Sequence, residues 1–266
     1  MSTRAAYPSD ISRTQFEAIR PVLENFRRRT KPKTIDLYDI YCAILYVTKT
    51  GCQWSALPHD YPAPHTVYTY FRQWAAKPHA DQPSLLEQLL VKQVELARSE
   101  DKREQQTPFL ILDAQSIRNT DLAGEKGYDA GKKVSGIKRH IAVDTNGLPH
   151  AIAVTTADVT DGNGGLLALS GCQANLSSVK KILVDGSYTG QPFAEGVDEI
   201  IPGAEVEVVK RNELNTFVVI PQRWVVERSF GGLDKCRRLW KNAERLLNNS
   251  LQFVNMAFLS MLLKRL

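Results

Sequence analysis

The chain has 266 residues, 43% of them hydrophobic and 24% charged, with 34 Lys and Arg against 29 Asp and Glu. That composition is globular, and the net charge of +5 suits a polyanionic partner. No run of 18 apolar residues and no apolar signal core in MSTRAAYPSD argue against a membrane span and secretion. The four cysteines (Cys42, Cys52, Cys172 and Cys236) form no CxxC pair, which argues against a zinc ribbon or disulfide scaffold. A cytoplasmic protein with reduced thiols is expected.

Helical periodicity dominates the first hundred residues. Apolar residues at 16, 19, 22, 23 and 26 predict a helix over 11–26, followed by the basic run RRRTKPK from Arg27 to Lys33. A second helix is expected over 36–49 and stops at Gly51. After GCQWSALP and a proline-broken turn, Thr66 to Trp74 places Val67, Tyr70, Phe71 and Trp74 on one side of a short helix. Leu85 to Ser99 predicts a fourth. Short helices joined by tight turns read as a helix-turn-helix-like module or as a plain bundle.

The polar stretch DKREQQTP (101–108) marks a domain boundary, giving a helical domain over 1–104 and a second domain over 105–266. In the second domain PFLILDAQS predicts a strand ending near Asp113. Residues 137–144 and 148–155 flank Asn146-Gly147, a two-residue hairpin turn. DGNGGLLALSG reads as a loop and then a helix. KILVD (181–185) and 205–209 are further strands, with a helix near 191–196 between them. Helices follow from Pro221 onward. The fold class is α/β, a mixed sheet flanked by helices and preceded by a small all-α domain.

Three acids stand at positions where such a fold gathers its chemistry. Asp113 and Asp185 follow the apolar runs FLIL and KILV, and Glu227 lies one to two turns into the long C-terminal helix. Three converging carboxylates repel one another unless cations lie between them. Hard oxygen ligands suit Mg²⁺, and two such ions about 4 Å apart activate a water or 3′-hydroxyl in phosphodiester displacement. Each acid alone also has an ordinary role, capping a turn or facing solvent. Arg223 lies four residues before Glu227, on the same helix face, where it would orient Glu227, hold a phosphate or form a surface ion pair.

The stretches LDAQSIR (112–118), GYDAGKKVSGIKRHIAVDTNGLPHAIAVTTADVTDG (127–162), LVDGSYTG (183–190) and RWVVERSFGGLDKCRRLWKNAE (223–244) resemble the catalytic core of bacterial DDE transposases. The match is to the IS4/IS5 superfamily and closest to the IS5 group. WSALP and TVYTYFRQW (54–58 and 66–74) resemble the helical domain preceding that core. The resemblance implies an RNase H-like fold for 105–266 and DNA transposition without a covalent protein–DNA intermediate. It also implies Asp113, Asp185 and Glu227 as the metal-binding triad, with Mg²⁺ as the ion and Mn²⁺ able to replace it. Arg223 fits the family's last motif, while Ile220 stands at its Tyr position and Asp234 at its Lys position.

The partners implied are double-stranded DNA, as terminal inverted repeats and as target, and a second copy in a homodimer on the DNA. The expected DNA contacts are Arg27, Arg28, Arg29, His65, Tyr68 and Arg72 in the helical domain. In the core they are Lys132, Lys133, Lys138, Arg139, Tyr188, Arg237, Arg238 and Lys241. Tyr188 is expected to stack on a displaced base or to pack. The rival classes are a DNA-binding regulator with an inert core and an RNase H-like nuclease without strand transfer.

Overall fold

The computed structural model describes residues 4–24, 35–79, 82–209 and 223–265. It divides into two compact units, each assembled from separated stretches of chain. One comprises Met1–Gln93, Leu233–Trp240 and Gln252–Leu266, the other Val94–Gly232 and Lys241–Leu251.

The first unit is helical. The helix expected over 11–26 is two short ones, α1 (Arg13–Glu17) and α2 (Arg20–Glu24). Ser12 caps α1 and Gln15 returns a hydrogen bond to the Ser12 backbone, a reciprocal box that fixes this start. Arg27, Arg28 and Arg29 lie outside the described residues. In α3 (Leu37–Thr50) Asp36 caps the start and Gly51, at φ 72°, ends the helix in the left-handed region open to glycine. Then α4 (Pro64–Ala75) buries Val67, Phe71 and Trp74, and α5 (Leu85–Glu100) follows. The distal part of the last helix, α9 (Leu247–Leu263), also belongs here. Phe253 stacks on Phe71 with ring centroids 4.7 Å apart, and the buried Gln252 accepts from the Ser84 hydroxyl at 3.1 Å.

The second unit is built on a sheet of β1 (Phe109–Arg118), β2 (Gly127–Asp129), β3 (Val134–Val143), β4 (Pro149–Thr156), β5 (Lys181–Asp185) and β6 (Glu205–Val209). Its order is β4-β3-β1-β5-β6, with β2 continuing the outer edge of β3 that β4 occupies. β1 pairs antiparallel with β3 and parallel with β5, and β5 pairs parallel with β6. This is the expected mixed α/β sheet, RNase H-like and flanked by helices. β1 runs five residues past the expected end at Asp113, because Ala114 to Arg118 go on pairing with β3.

Register sorts the side chains. Leu110, Leu112, Ala142, Ala151, Ile182 and Val184 share the face covered by α6 (Asp161–Gly171) and α7 (Gln191–Ile200). Helix α6 is unusually rich in glycine. Gly164 lies against His140, and Gly165 against Leu112 and Tyr188, so the helix backbone sits on the sheet where side chains have no room. That contact explains why a segment of poor helix propensity, expected to begin as a loop, is helical from Asp161 onward. The β3–β4 turn holds Gly147 at φ 79°, and the buried Asp144 accepts from the amides of Asn146 (2.8 Å) and Leu148 (3.0 Å). The last helix of this unit before α9 is α8 (Arg223–Leu233).

Candidate active site

The parallel pairing of β1 with β5 sets Leu110 beside Ile182 and Ile111 beside Leu183. Asp113 and Asp185 each lie two residues beyond the last of these pairs. Alternation along a strand then puts both carboxylates on one face of adjacent strands, whose backbones lie about 4.8 Å apart. Both are half-buried. Asp113 accepts from the Ala114 amide at 2.7 Å. Asp185 ends β5 and caps the following 3₁₀ turn, accepting from the Ser187 amide at 2.8 Å and from the Ser187 hydroxyl.

Tyr188 closes that turn with its side chain buried, 1% exposed. Its ring is wedged between Phe193, 5.2 Å away edge-on, and Gly165 of α6. Its hydroxyl is buried without a hydrogen-bond partner. Burial first, and then the charges of Asp113, Asp161 and Asp185, push that hydroxyl well above its ordinary pKa. Tyr188 therefore remains a neutral donor beside three carboxylates. Of the two expectations for Tyr188, its side chain takes the packing one in this structure.

A cluster of charges lies alongside. Lys138 is 6% exposed; its ammonium bridges Asp161 (2.8 Å) and Asp129 (3.3 Å) and donates to the Val159 carbonyl (2.9 Å). Burial lowers its pKa, but the two carboxylates outweigh this and raise it. Burial likewise opposes ionisation of Asp129, yet the Ser116 hydroxyl, the Lys132 amide and Lys138 hold it at about 2. Lys132 reaches the Ala114 carbonyl at 3.1 Å, next to Asp113, and lies 3.6 Å from Asp161. Asp129 and Asp161 escaped the sequence reading. They come to Lys138 only through the β2–β3 hairpin and the start of α6, and nothing in their spacing announces it.

Lys138 and Arg139, expected on the surface as phosphate contacts, are instead buried, at 6% and 1% exposed. Lys132 and Lys133 are exposed. In the helical unit His65 and Arg72 are exposed and Tyr68 half-buried against Trp54. Arg237 and Lys241 are exposed, whereas Arg238 is drawn inward, over the Phe253 ring at 5.0 Å and onto the Cys52 carbonyl at 3.3 Å.

Glu227 lies on the exposed side of α8, two residues from Val225 and Ser229, which meet Gly147 of the β3–β4 turn. Arg223 opens α8 one turn earlier; its side chain is outside the described residues. Among the described residues no group of three His, Cys, Asp or Glu is gathered for a metal. Asp113 and Asp185 thus stand on neighbouring strands, and Glu227 is carried by α8.

Residues 104–262 match the family model of the transposase DDE domain, and residues 11–82 match that of a transposase of the IS4/5 family. The chain belongs to the IS4/5 DDE transposases. Among curated proteins no match is found. Transposases of this family act on DNA with divalent metal ions. The donor set here fits such an ion: the half-buried carboxylates of Asp113 and Asp185 offer hard oxygen ligands. No helix among the described residues is long and apolar enough to cross a membrane.

Proposed function

We propose that this chain is the transposase of an insertion sequence of the IS5 group, binding terminal inverted repeats and catalysing metal-dependent cleavage and strand transfer. The observation that supports the reading is the parallel register of β1 and β5, whose last pair, Ile111 with Leu183, lies two residues before Asp113 and Asp185. In this reading Asp113, Asp185 and Glu227 hold two Mg²⁺ ions. Mn²⁺ replaces them, since its ligand preferences are alike. When bound, the ions supply Lewis-acid activation of the attacking oxygen and neutralise charge on the leaving one. Arg223 holds the incoming phosphate.

The division of labour follows the two halves of the sequence: residues 1–104 recognise the element's ends and 105–266 carry the chemistry. His65, Tyr68 and Arg72 are three and four apart on α4, so one face of that helix presents all three to DNA. The basic run with Arg27, Arg28 and Arg29 touches phosphates. Two ends must be joined in one reaction, which favours a homodimer on the DNA.

The test incubates the protein and Mg²⁺ with labelled DNA carrying the genomic flanks of its own gene. Cleavage at the element's ends and joining to a target duplex are expected. Asp113→Asn, Asp185→Asn and Glu227→Gln each abolish both while DNA binding persists. A variant that cleaves at the wild-type rate removes its residue from the triad.

A further inference from the structure

Beyond Asp113, β1 continues to Arg118, and there the sheet unit opens into a pocket of ≈ 490 Å³. Arg118, Lys126 and Lys133 line it with Tyr128 and Ser135, against one acid, Asp121. The tyrosine is 57% exposed, although it sits in β2 next to the buried Asp129. An aromatic ring held open to solvent among three cations offers a stacking surface and charge for a phosphate in one place.

The local backbone agrees. Lys133 ends the β2–β3 turn at φ 53°, a left-handed conformation that favours glycine over side chains. The glycine of that loop is Gly131, not residue 133, so a lysine is held in the disfavoured position at the pocket's rim. Such outliers concentrate where a side chain is needed for binding. The volume suits a nucleotide-sized ligand.

We propose that this pocket takes one nucleotide of a DNA strand, its phosphate on Arg118, Lys126 and Lys133 and its base on the Tyr128 ring. The proposal rests on the reading that the strand being cut lies at Asp113 and Asp185. Five residues of extended strand separate Asp113 from Arg118, roughly 17 Å. At about 3.4 Å of rise per nucleotide in a stacked duplex, and more in an extended strand, the pocket holds a nucleotide within about five positions of the scissile phosphate.

The test uses the full chain and a fluorescein-labelled ten-residue thymidine oligonucleotide, read by anisotropy without divalent metal. Tyr128→Ala and the double variant Arg118→Ala, Lys133→Ala each weaken binding about ten-fold. The double variant also lowers the salt slope, by about 0.7 per cation lost. Lys180→Ala, which removes an exposed cation at the end of β5 away from Asp185, is the control and binds as the wild type does.

A strand substituted with 5-bromodeoxyuridine at successive positions crosslinks best to Tyr128 at one position within about five nucleotides of the cut. Unchanged affinity in both pocket variants overturns the proposal, as does equal affinity for thymidine monophosphate, which would make the pocket a free-nucleotide site. Cleavage of the end DNA in Mg²⁺ is assayed in parallel. Wild-type cleavage with unaltered pocket variants overturns the pocket alone. No cleavage by the wild type overturns the underlying reading and the proposal with it.

Discussion

Gly164 of α6 lies directly over the His140 imidazole: a Cβ at Gly164 would fall 2.0 Å from Cε1 and 2.1 Å from Nε2. Helix propensity alone would favour alanine there by up to ~1 kcal/mol. Overpacking of a fully buried ring outweighs that gain. Gly164→Ala is expected to destabilise the protein by about 1–3 kcal/mol in urea unfolding. His140→Ala added to it relieves the clash, so the double variant recovers part of the loss. Full wild-type stability in Gly164→Ala alone would show that α6 can lift from the sheet without cost.

His140 also sets an acid limit. It is fully buried, bonded through Nε2 to the Thr155 hydroxyl at 3.0 Å, and desolvation pulls its pKa from 6.5 to about 4. The Asp161 charge opposes that fall, while Lys138 and Lys132 add to it. The folded state therefore binds this proton less readily than the unfolded chain. Its contribution is full above pH 6.5 and is lost as pH drops toward 4, up to about 3 kcal/mol. Unfolding free energies at pH 7 and pH 4.5 measure it. His140→Gln should flatten that slope, and an unchanged slope would assign the acid sensitivity to other groups.

Arg98 and Asp144 form an ion pair with side chains 2% and 0% exposed, and Arg98 further donates to the carbonyls of Glu104 (2.7 Å) and Gln106 (3.1 Å). Burial opposes the charge on Asp144, but His150 and the amides of Leu148 and Asn146 hold its pKa at about 2. Arg98→Met leaves that carboxylate buried without its nearest cation and is expected to cost about 3–5 kcal/mol. Asp144→Asn costs less, and the double variant costs less than the sum of the two. Strict additivity in a double-mutant cycle would mean that the pair is not coupled.

For Arg223, the motif match with Glu227 predicts a role that lysine fills poorly, because a phosphate is best held by the two-pronged guanidinium. Arg223→Lys is expected to slow cleavage and strand transfer by about 1–3 kcal/mol in barrier, and Arg223→Ala by more, with unfolding free energy nearly unchanged. Near-normal rates for both variants under saturating Mg²⁺ would reduce Arg223 to a surface ion pair.

What could be read from residues alone tracked burial that repeats at short range. The apolar runs before Asp113 and Asp185 announced strands, and Asn146-Gly147 announced the hairpin turn. The parallel pairing of the strands that carry the two aspartates is a long-range register, and only the fold supplies it. β2 is three residues long and begins with glycine, too short to show a period. Lys138 and Arg139 looked like surface charge because most such residues are; strand β3, paired on both edges, buries them. The glycines of α6 carried a loop signature because their role, close approach to His140 and Tyr188, concerns residues distant in the chain.

The helical unit draws on both ends of the chain, closing on Phe253 and Gln252 after starting with residues before Gln93. On the ribosome, at 5–20 residues per second, its first part therefore waits roughly 8–30 seconds for its last helix. Through that interval the ring of Phe71 lacks its stacking partner, and the whole sheet unit emerges in between. A message truncated before residue 252 would yield a chain carrying the strand aspartates but with an unfinished helical unit, a substrate for proteases and chaperones instead of a free-standing fragment.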